Sequence, residues 1–230
     1  MASQTSPPAE IIVVDDASEG VVADLPASVG PAALRFIRLE RNGGPGTARN
    51  IAWEAANERY IAFLDADDAW HPRKIEVQFG WMERHPDSIL SAHAILDHLP
   101  HDPKIGKATR VTSGMLLRSN RFQTSSVMLR RSISQRFADG KRYCEDYHLW
   151  LEIVLAGGIA HYLDAPLAAR FKPVYGSWGS SGRLWHMERG ELDALNRAWR
   201  AGLLGFPAFA AASVWSWVKF MRRLTVRRPS

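Results

Sequence analysis

One cysteine, Cys144, is all that the 230 residues contain. No internal disulfide can form, and the chain suits a reducing compartment. Internal repeats and low-complexity tracts are absent, which argues against solenoids and long disordered linkers. Met1 to Glu10 are polar and proline-containing, without the apolar segment of a secretory signal. Long hydrophobic runs are scarce. Ala201 to Val218 comes nearest, but Gly205, Pro207 and Ser213 weaken it as a membrane span. Acids are outnumbered, 24 Asp and Glu against 29 Lys and Arg, giving a net charge of +5. Most of that surplus is local: Arg222, Arg223, Arg227 and Arg228 crowd the last nine residues. The main body is nearly balanced, so no nucleic-acid partner is expected. With 46% hydrophobic and 23% charged residues, the composition supports a packed core.

What is present alternates between strand and helix. Ile11 to Val14 is an apolar, β-branched run of the buried-strand kind. Leu34 to Leu39 predicts a second strand, and Asn42 to Gly46 a turn. Ala48, Ile51, Ala52 and Ala55 recur at helical spacing within Thr47 to Glu58. Tyr60 to Leu64 is a third strand. Pro72 opens a helix bearing Ile75, Phe79 and Met82, with Asp68 as its candidate cap. Strands are expected at Ile89 to Leu96, Thr124 to Leu129 and His161 to Leu163, and a helix at Asp146 to Ala156. The order predicts an α/β fold with a mainly parallel central sheet flanked by helices.

Two of these strands end on acids: Asp15-Asp16, and Asp65-Ala66-Asp67-Asp68. Open α/β sheets hold ligands at the C-terminal ends of their strands. Adjacent parallel strands would bring both acid groups to one crevice. Clustered carboxylates repel unless a cation compensates them. A divalent metal carrying a phosphate accounts for them economically. An EF-hand does not, because Trp70 stands where the loop needs glycine. Gly44-Pro45-Gly46-Thr47-Ala48-Arg49 imitates a dinucleotide fingerprint, but Arg49 replaces the third glycine, which disfavours an NAD-linked enzyme. His93, His98 and His101 lack a zinc spacing and read as loop histidines.

Four segments in order sharpen this. They are Val13-Val14-Asp15-Asp16-Ala17-Ser18, Asn42 to Asn50, Phe63 to Trp70, and Glu145-Asp146-Tyr147-His148-Leu149-Trp150. Together they resemble family 2 glycosyltransferases of the GT-A, Rossmann-like fold, over about Glu10 to Phe171. The resemblance implies a catalytic nucleotide-sugar-binding domain over 1–172, followed by an acceptor-side loop and a helical, basic extension over 173–230. It implies a UDP- or GDP-linked sugar donor and Mn²⁺ or Mg²⁺. Nucleotide-sugar contacts fall to Asp15, Asp16, Asn42, Gly43, Arg49 and Asp65. The metal falls to Asp67. Catalysis falls to Glu145 and Asp146, with Asp146 as base. The implied activity is inverting, metal-dependent transfer to a glycan or lipid-linked acceptor in cell-surface polysaccharide synthesis. The expected location is cytoplasmic, peripheral on the inner membrane face.

The family ordinarily begins with one more strand and helix than is matched here. A catalytically impaired nucleotide-sugar-binding or scaffold protein on the same fold is therefore the second expectation. Trp178 and Trp185 are candidates for a mobile acceptor-side loop. The tail reads as an amphipathic helix on anionic lipid, with Trp215, Trp217 and Phe220 at the interface.

Overall fold

A computed structural model describes residues 1–20, 25–170 and 184–226. Strand β1 (Glu10–Asp15) lies parallel to β3 (Ala32–Arg38), with β2 (Ser28–Val29) antiparallel on the far side of β3. Helix α1 (Pro45–Ala55) packs against β1. The chain continues through β4 (Tyr60–Ala62), β5 (Asp68–Trp70) and α2 (Lys74–Arg84). Then come β6 (Leu90–Leu96), β7 (Ala108–Val111), α3 (Ser113–Arg118) and β8 (Met128–Arg130). Helix α4 (Glu145–Leu155), β9 (Ala160–Arg170), α5 (Leu184–Arg200) and α6 (Phe206–Val226) complete it.

The α/β class holds, but the pairing is mixed rather than mainly parallel. Only β1 with β3 and β6 with β9 run parallel, and the remaining ladders are antiparallel. The reason is the long β9. It takes β6 on one side, while the short strands β5 and β7 return against the other.

The two acid-ended strands are not neighbours in one sheet. Strand β1 belongs to a sheet ordered β1-β3-β2, and β4 lies at the edge of a second sheet ordered β4-β8-β6-β9-β5. Among the described residues β1 pairs on one edge only. Ile11 to Val14 are accordingly half-buried, not enclosed on both faces as their composition predicts.

Other boundaries moved for local reasons. Asp68 does not cap α2, because it pairs in β5 with Arg170. Gln4 takes over part of that role: its Oε1 accepts from Ile75 N at 3.1 Å, and its Nε2 donates to the His71 carbonyl at 2.9 Å. Thr124 to Ser126 form a 3-10 turn ahead of β8. His93 is a buried residue of β6, not a loop histidine. Met82 and Ile75 are buried on α2, but Phe79 faces outward, edge-on to Tyr60.

The core beneath the site is aromatic. Trp53, Phe63, Phe137 and Trp150 form a chain of tilted and edge-on contacts, with centroids 5.7 Å, 5.4 Å and 5.8 Å apart. It joins α1, the end of β4 and α4, the three places that carry site residues. Phe137 is 2% exposed and central to the chain. Truncating it by Phe137→Ala removes that packing and leaves a cavity. The expected loss is about 3–5 kcal/mol, read from the urea midpoint; a shift equivalent to under about 1 kcal/mol would show the cluster is not structural.

Candidate active site

The turn after β3 is built around one carboxylate. Asp16 accepts the backbone N–H of Gly43 at 2.7 Å and of Gly44 at 2.8 Å. Asn42 donates to the Asp16 carbonyl at 3.0 Å and accepts from Arg142 at 3.1 Å. Gly44 adopts φ +88°, which a side chain resists, and leads into α1 with Pro45 in the first turn. A Cβ on Gly46 would lie 3.2 Å from Phe137 Cβ and 3.5 Å from Glu145 Cγ. Glycine there lets α1 approach the start of α4. The Gly43 and Gly44 N–H groups are thus taken by the Asp16 carboxylate.

That approach places Arg49, one turn into α1, between two acids. Its Nη2 donates to Asp65 Oδ1 at 2.7 Å, and its Nη1 to Glu145 Oε1 at 2.8 Å. The guanidinium lies 5.4 Å from the Phe137 ring centroid. Burial works against its charge, but Asp65 and Glu145 outweigh burial and hold it firmly protonated. Arg49 thus ties the end of β4 to the start of α4. Its bond to Glu145 spans 96 residues of sequence.

Asp146 follows Glu145 in the first turn of α4. Its Oδ1 accepts from Tyr147 N at 2.7 Å, and its Oδ2 from Asn120 Nδ2 at 3.2 Å. Burial, and then the Glu145 charge beside it, push its carboxyl up to about 6. Asp146 lines a cavity of about 680 Å³ between α4, α5 and α6, together with Asn120, Tyr147, Met187 and Glu191. Cys144 enters α4 at φ +54°, and Ala17 follows Asp15-Asp16 at φ +55°. Both are strained positions for non-glycine residues, and each adjoins an acid pair, as strained backbone at functional sites often does. Burial pushes the Cys144 thiol far up, so it is no nucleophile.

The acids after β4 are only partly compensated. Asp65 has Arg49, and its N–H donates to Ser125 Oγ at 3.0 Å. Asp68 has its carboxyl raised by burial and by the charges of Asp65 and Asp67, against a hydrogen bond from Ser125. Burial is the larger cause, and the neighbouring carboxylates add to it. Among the described residues no group of three or more His, Cys, Asp or Glu is set to hold a metal alone. One or two carboxylates completed by phosphate oxygens and water fit Mg²⁺ or Mn²⁺ instead.

Asp15 is buried; a hydrogen bond from Ser18 chiefly, and Arg38 nearby, hold its carboxyl below the usual range. The structure thus joins Asp16, Asn42 and Gly43 in one turn, and Arg49, Asp65 and Glu145 in one ion-paired bridge. Sequence reasoning missed Asn120, Ser125 and the cavity walls from α5 and α6. Asn120 sits in a stretch without periodicity, and Ser125 falls in the segment expected as a strand, where nothing singles it out as a site residue. Trp178 lies outside the described residues. Trp185 belongs to α5, with its ring 4.5 Å from that of Phe220.

A family profile, Glycosyl transferase family 2, matches residues 1–137. The chain is 29% identical to the putative teichuronic acid biosynthesis glycosyltransferase TuaG of Bacillus subtilis, over 84% of this chain and 80% of that protein. It is 31% identical to the UDP-Glc:alpha-D-GlcNAc-diphosphoundecaprenol beta-1,3-glucosyltransferase WfaP of Escherichia coli, over 67% of this chain and 62% of that one. The solved structure of S. aureus TarS 1-349 in complex with UDP superimposes with a TM-score of 0.58 at 20% identity, covering 84% of this chain and 59% of TarS. Relative to WfaP and TarS, then, the chain spans about three fifths of the partner's length. The fold is GT-A-like, and the chain belongs to glycosyl transferase family 2.

Proposed function

We propose that the protein transfers a sugar from a UDP- or GDP-linked donor to a glycan or lipid-linked acceptor, with inversion, in cell-surface polysaccharide synthesis. The observation that carries this is Asp146: a carboxylate with a raised pKa, at the edge of an open cavity, beside an ion-paired bridge to the acids of β4. A base with its pKa near the working pH is the useful kind. An acceptor hydroxyl in the cavity would attack the anomeric carbon, giving its proton to Asp146. The carbon–oxygen bond to the nucleoside diphosphate would break as the new bond forms, leaving from the opposite face.

On the donor side, Asp16 holds the Asn42–Gly44 turn, and Arg49 holds Asp65 in place. Asp67 is the residue assigned to the metal, with Asp68 next to it. Bound there, Mg²⁺ or Mn²⁺ would supply charge neutralisation for the departing diphosphate. TarS was solved with UDP and WfaP is named for a UDP-sugar, which supports a uridine donor. Calorimetry with UDP and with GDP, each with and without Mn²⁺, tests this. Metal-dependent heat is expected with one nucleotide, and Asp67→Ala should weaken it at least about ten-fold, the scale of one lost charge-assisted contact. No heat with either nucleotide overturns donor binding.

A membrane contact through α6 belongs to the same reading. Among the described residues no helix is long and apolar enough to cross a membrane. Helix α6 instead exposes Val214, Trp217, Val218 and Met221, at the i, i+3, i+4, i+7 spacing of a single face. Phe220 is buried rather than interfacial, and Trp215 is half-committed, donating to the Arg118 carbonyl at 3.0 Å. An apolar face bordered by arginine suits an anionic bilayer surface.

The second reading, a nucleotide-sugar-binding scaffold without transfer, is favoured by the separation of β1 and β4 into two sheets. The two readings part on whether sugar is transferred, not on whether nucleotide is bound.

A further inference from the structure

The cavity beside Asp146 has a second polar side. Helix α6 contributes Lys219, Arg222 and Arg223 to it. Two of these cations are already committed. Lys219 pairs with Glu191, and Arg223 reaches Glu188 at 3.3 Å and Glu191 at 3.8 Å. Glu188 is itself buried and accepts from Ser216 at 2.9 Å. These pairs cancel one another and fasten α6 to α5.

Arg222 differs. It lines the same cavity, is exposed, and makes no ion pair or side-chain hydrogen bond among the described residues. A guanidinium aimed at a cavity without a partner offers a planar fork of donors to an anion, and phosphate is the shape it fits best. Its place on the helix adds to this. Arg222 falls one turn after Val218, on the border between the cavity and the exposed apolar face of Val214, Trp217, Val218 and Met221. Passing around α6, one meets the cavity, then a cation without a side-chain partner among the described residues, then an exposed apolar stripe whose Trp217 also meets the rings of Trp185 and Phe220. An amphiphile with a sugar at one end, phosphate in the middle and hydrocarbon at the other end has that same order.

We propose that Arg222 is the phosphate subsite of the acceptor pocket, and that the acceptor is a sugar carried on a lipid phosphate or diphosphate. This rests on the reading of Asp146 as the base, which fixes where the sugar hydroxyl must lie. Hydrocarbon then leaves the cavity over the α6 stripe, and the sugar stays inside. A soluble sugar phosphate would use Arg222 but not the stripe.

The test uses the full chain and three probes: inorganic pyrophosphate, farnesyl diphosphate and farnesol. Titration calorimetry should show farnesyl diphosphate binding more tightly than pyrophosphate, and farnesol more weakly than either. Arg222→Ala should weaken farnesyl diphosphate about ten-fold or more, the scale of one charge-assisted contact, with partial recovery in Arg222→Lys. Because Arg222 is exposed and has no side-chain partner among the described residues, its replacement should leave the melting temperature unchanged, so lost binding is not lost folding. Unchanged affinity for farnesyl diphosphate in Arg222→Ala overturns the subsite. Equal affinities for pyrophosphate and farnesyl diphosphate overturn its lipid half. A parallel UDP titration keeps the donor reading separate. Heat with UDP but no Arg222 dependence sinks this proposal alone. Arg222-dependent binding without UDP heat supports it while sinking the donor reading.

Discussion

Asp146→Asn should reduce transfer by about two to four orders of magnitude, the range for losing a general base, while nucleotide affinity stays unchanged. Asparagine keeps the hydrogen bond to Tyr147 N through its oxygen, while its NH2 group can no longer accept from Asn120 or take a proton. The pH dependence carries the same signature. The carboxyl is raised to about 6, and only its ionised form takes a proton, so kcat/KM should fall as pH drops through about 6. Stability should move the opposite way. A carboxyl raised from 3.8 to about 6 binds its proton more tightly in the folded state, so its contribution fades as pH rises across that window. Asp146→Asn should therefore not lower the melting temperature at pH 8. Full activity in Asp146→Asn, with loss in Glu145→Gln, would move the base to Glu145.

Arg49→Met should be the most damaging change to the fold of the site. Glu145 has a side chain 11% exposed, and Arg49 is its ion-pair partner. Removing one partner of a buried pair leaves an uncompensated charge and costs about 3–5 kcal/mol, measurable as a lowered urea midpoint. A second consequence is separable from stability. The Arg49 charge lowers the Asp146 pKa, against burial and Glu145, which raise it. Without Arg49 the acid limb of the rate profile should move above 6. Arg49→Lys should recover little of this, because one compact ammonium is poorly shaped to hold Asp65 and Glu145 together as the two-pronged guanidinium does. An acid limb that stays put in Arg49→Met would show that the bridge does not tune Asp146.

Much of this was legible in the residues. Ile11 to Val14 and Tyr60 to Leu64 announce themselves as strands by composition. The helix bearing Arg49 follows from the spacing of Ala48, Ile51, Ala52 and Ala55. The ordered acids gave the family. What composition could not reveal was pairing. Whether β1 lies beside β4 depends on what stands between them, and Ile11 to Val14 read the same whether enclosed or half-open. Asp68 looked like a helix cap because acids before a proline usually are; its partnership with Arg170 is set by β9, about a hundred residues later. Arg49 is legible as a nucleotide-sugar contact but not as the link between Asp65 and Glu145, because ion pairs between residues so far apart leave no local trace. The cavity walls were least legible of all. Arg222 was read as one of several tail charges, and only the helix–helix packing separates it from Lys219 and Arg223.

The division into two sheets bears on what a bound nucleotide would join. Asp15 and Asp16 ride on the small sheet, and Asp65, Asp67 and Asp68 on or beside the large one. Between them run α1 and its Arg49 bridge, with no continuous ladder of backbone hydrogen bonds. A nucleoside diphosphate gripped from both sides would span that seam. Substrate would then act as a keystone as well as a reactant. The loaded enzyme would be stiffer than the free one, and product release would amount to unfastening two halves of the molecule from each other.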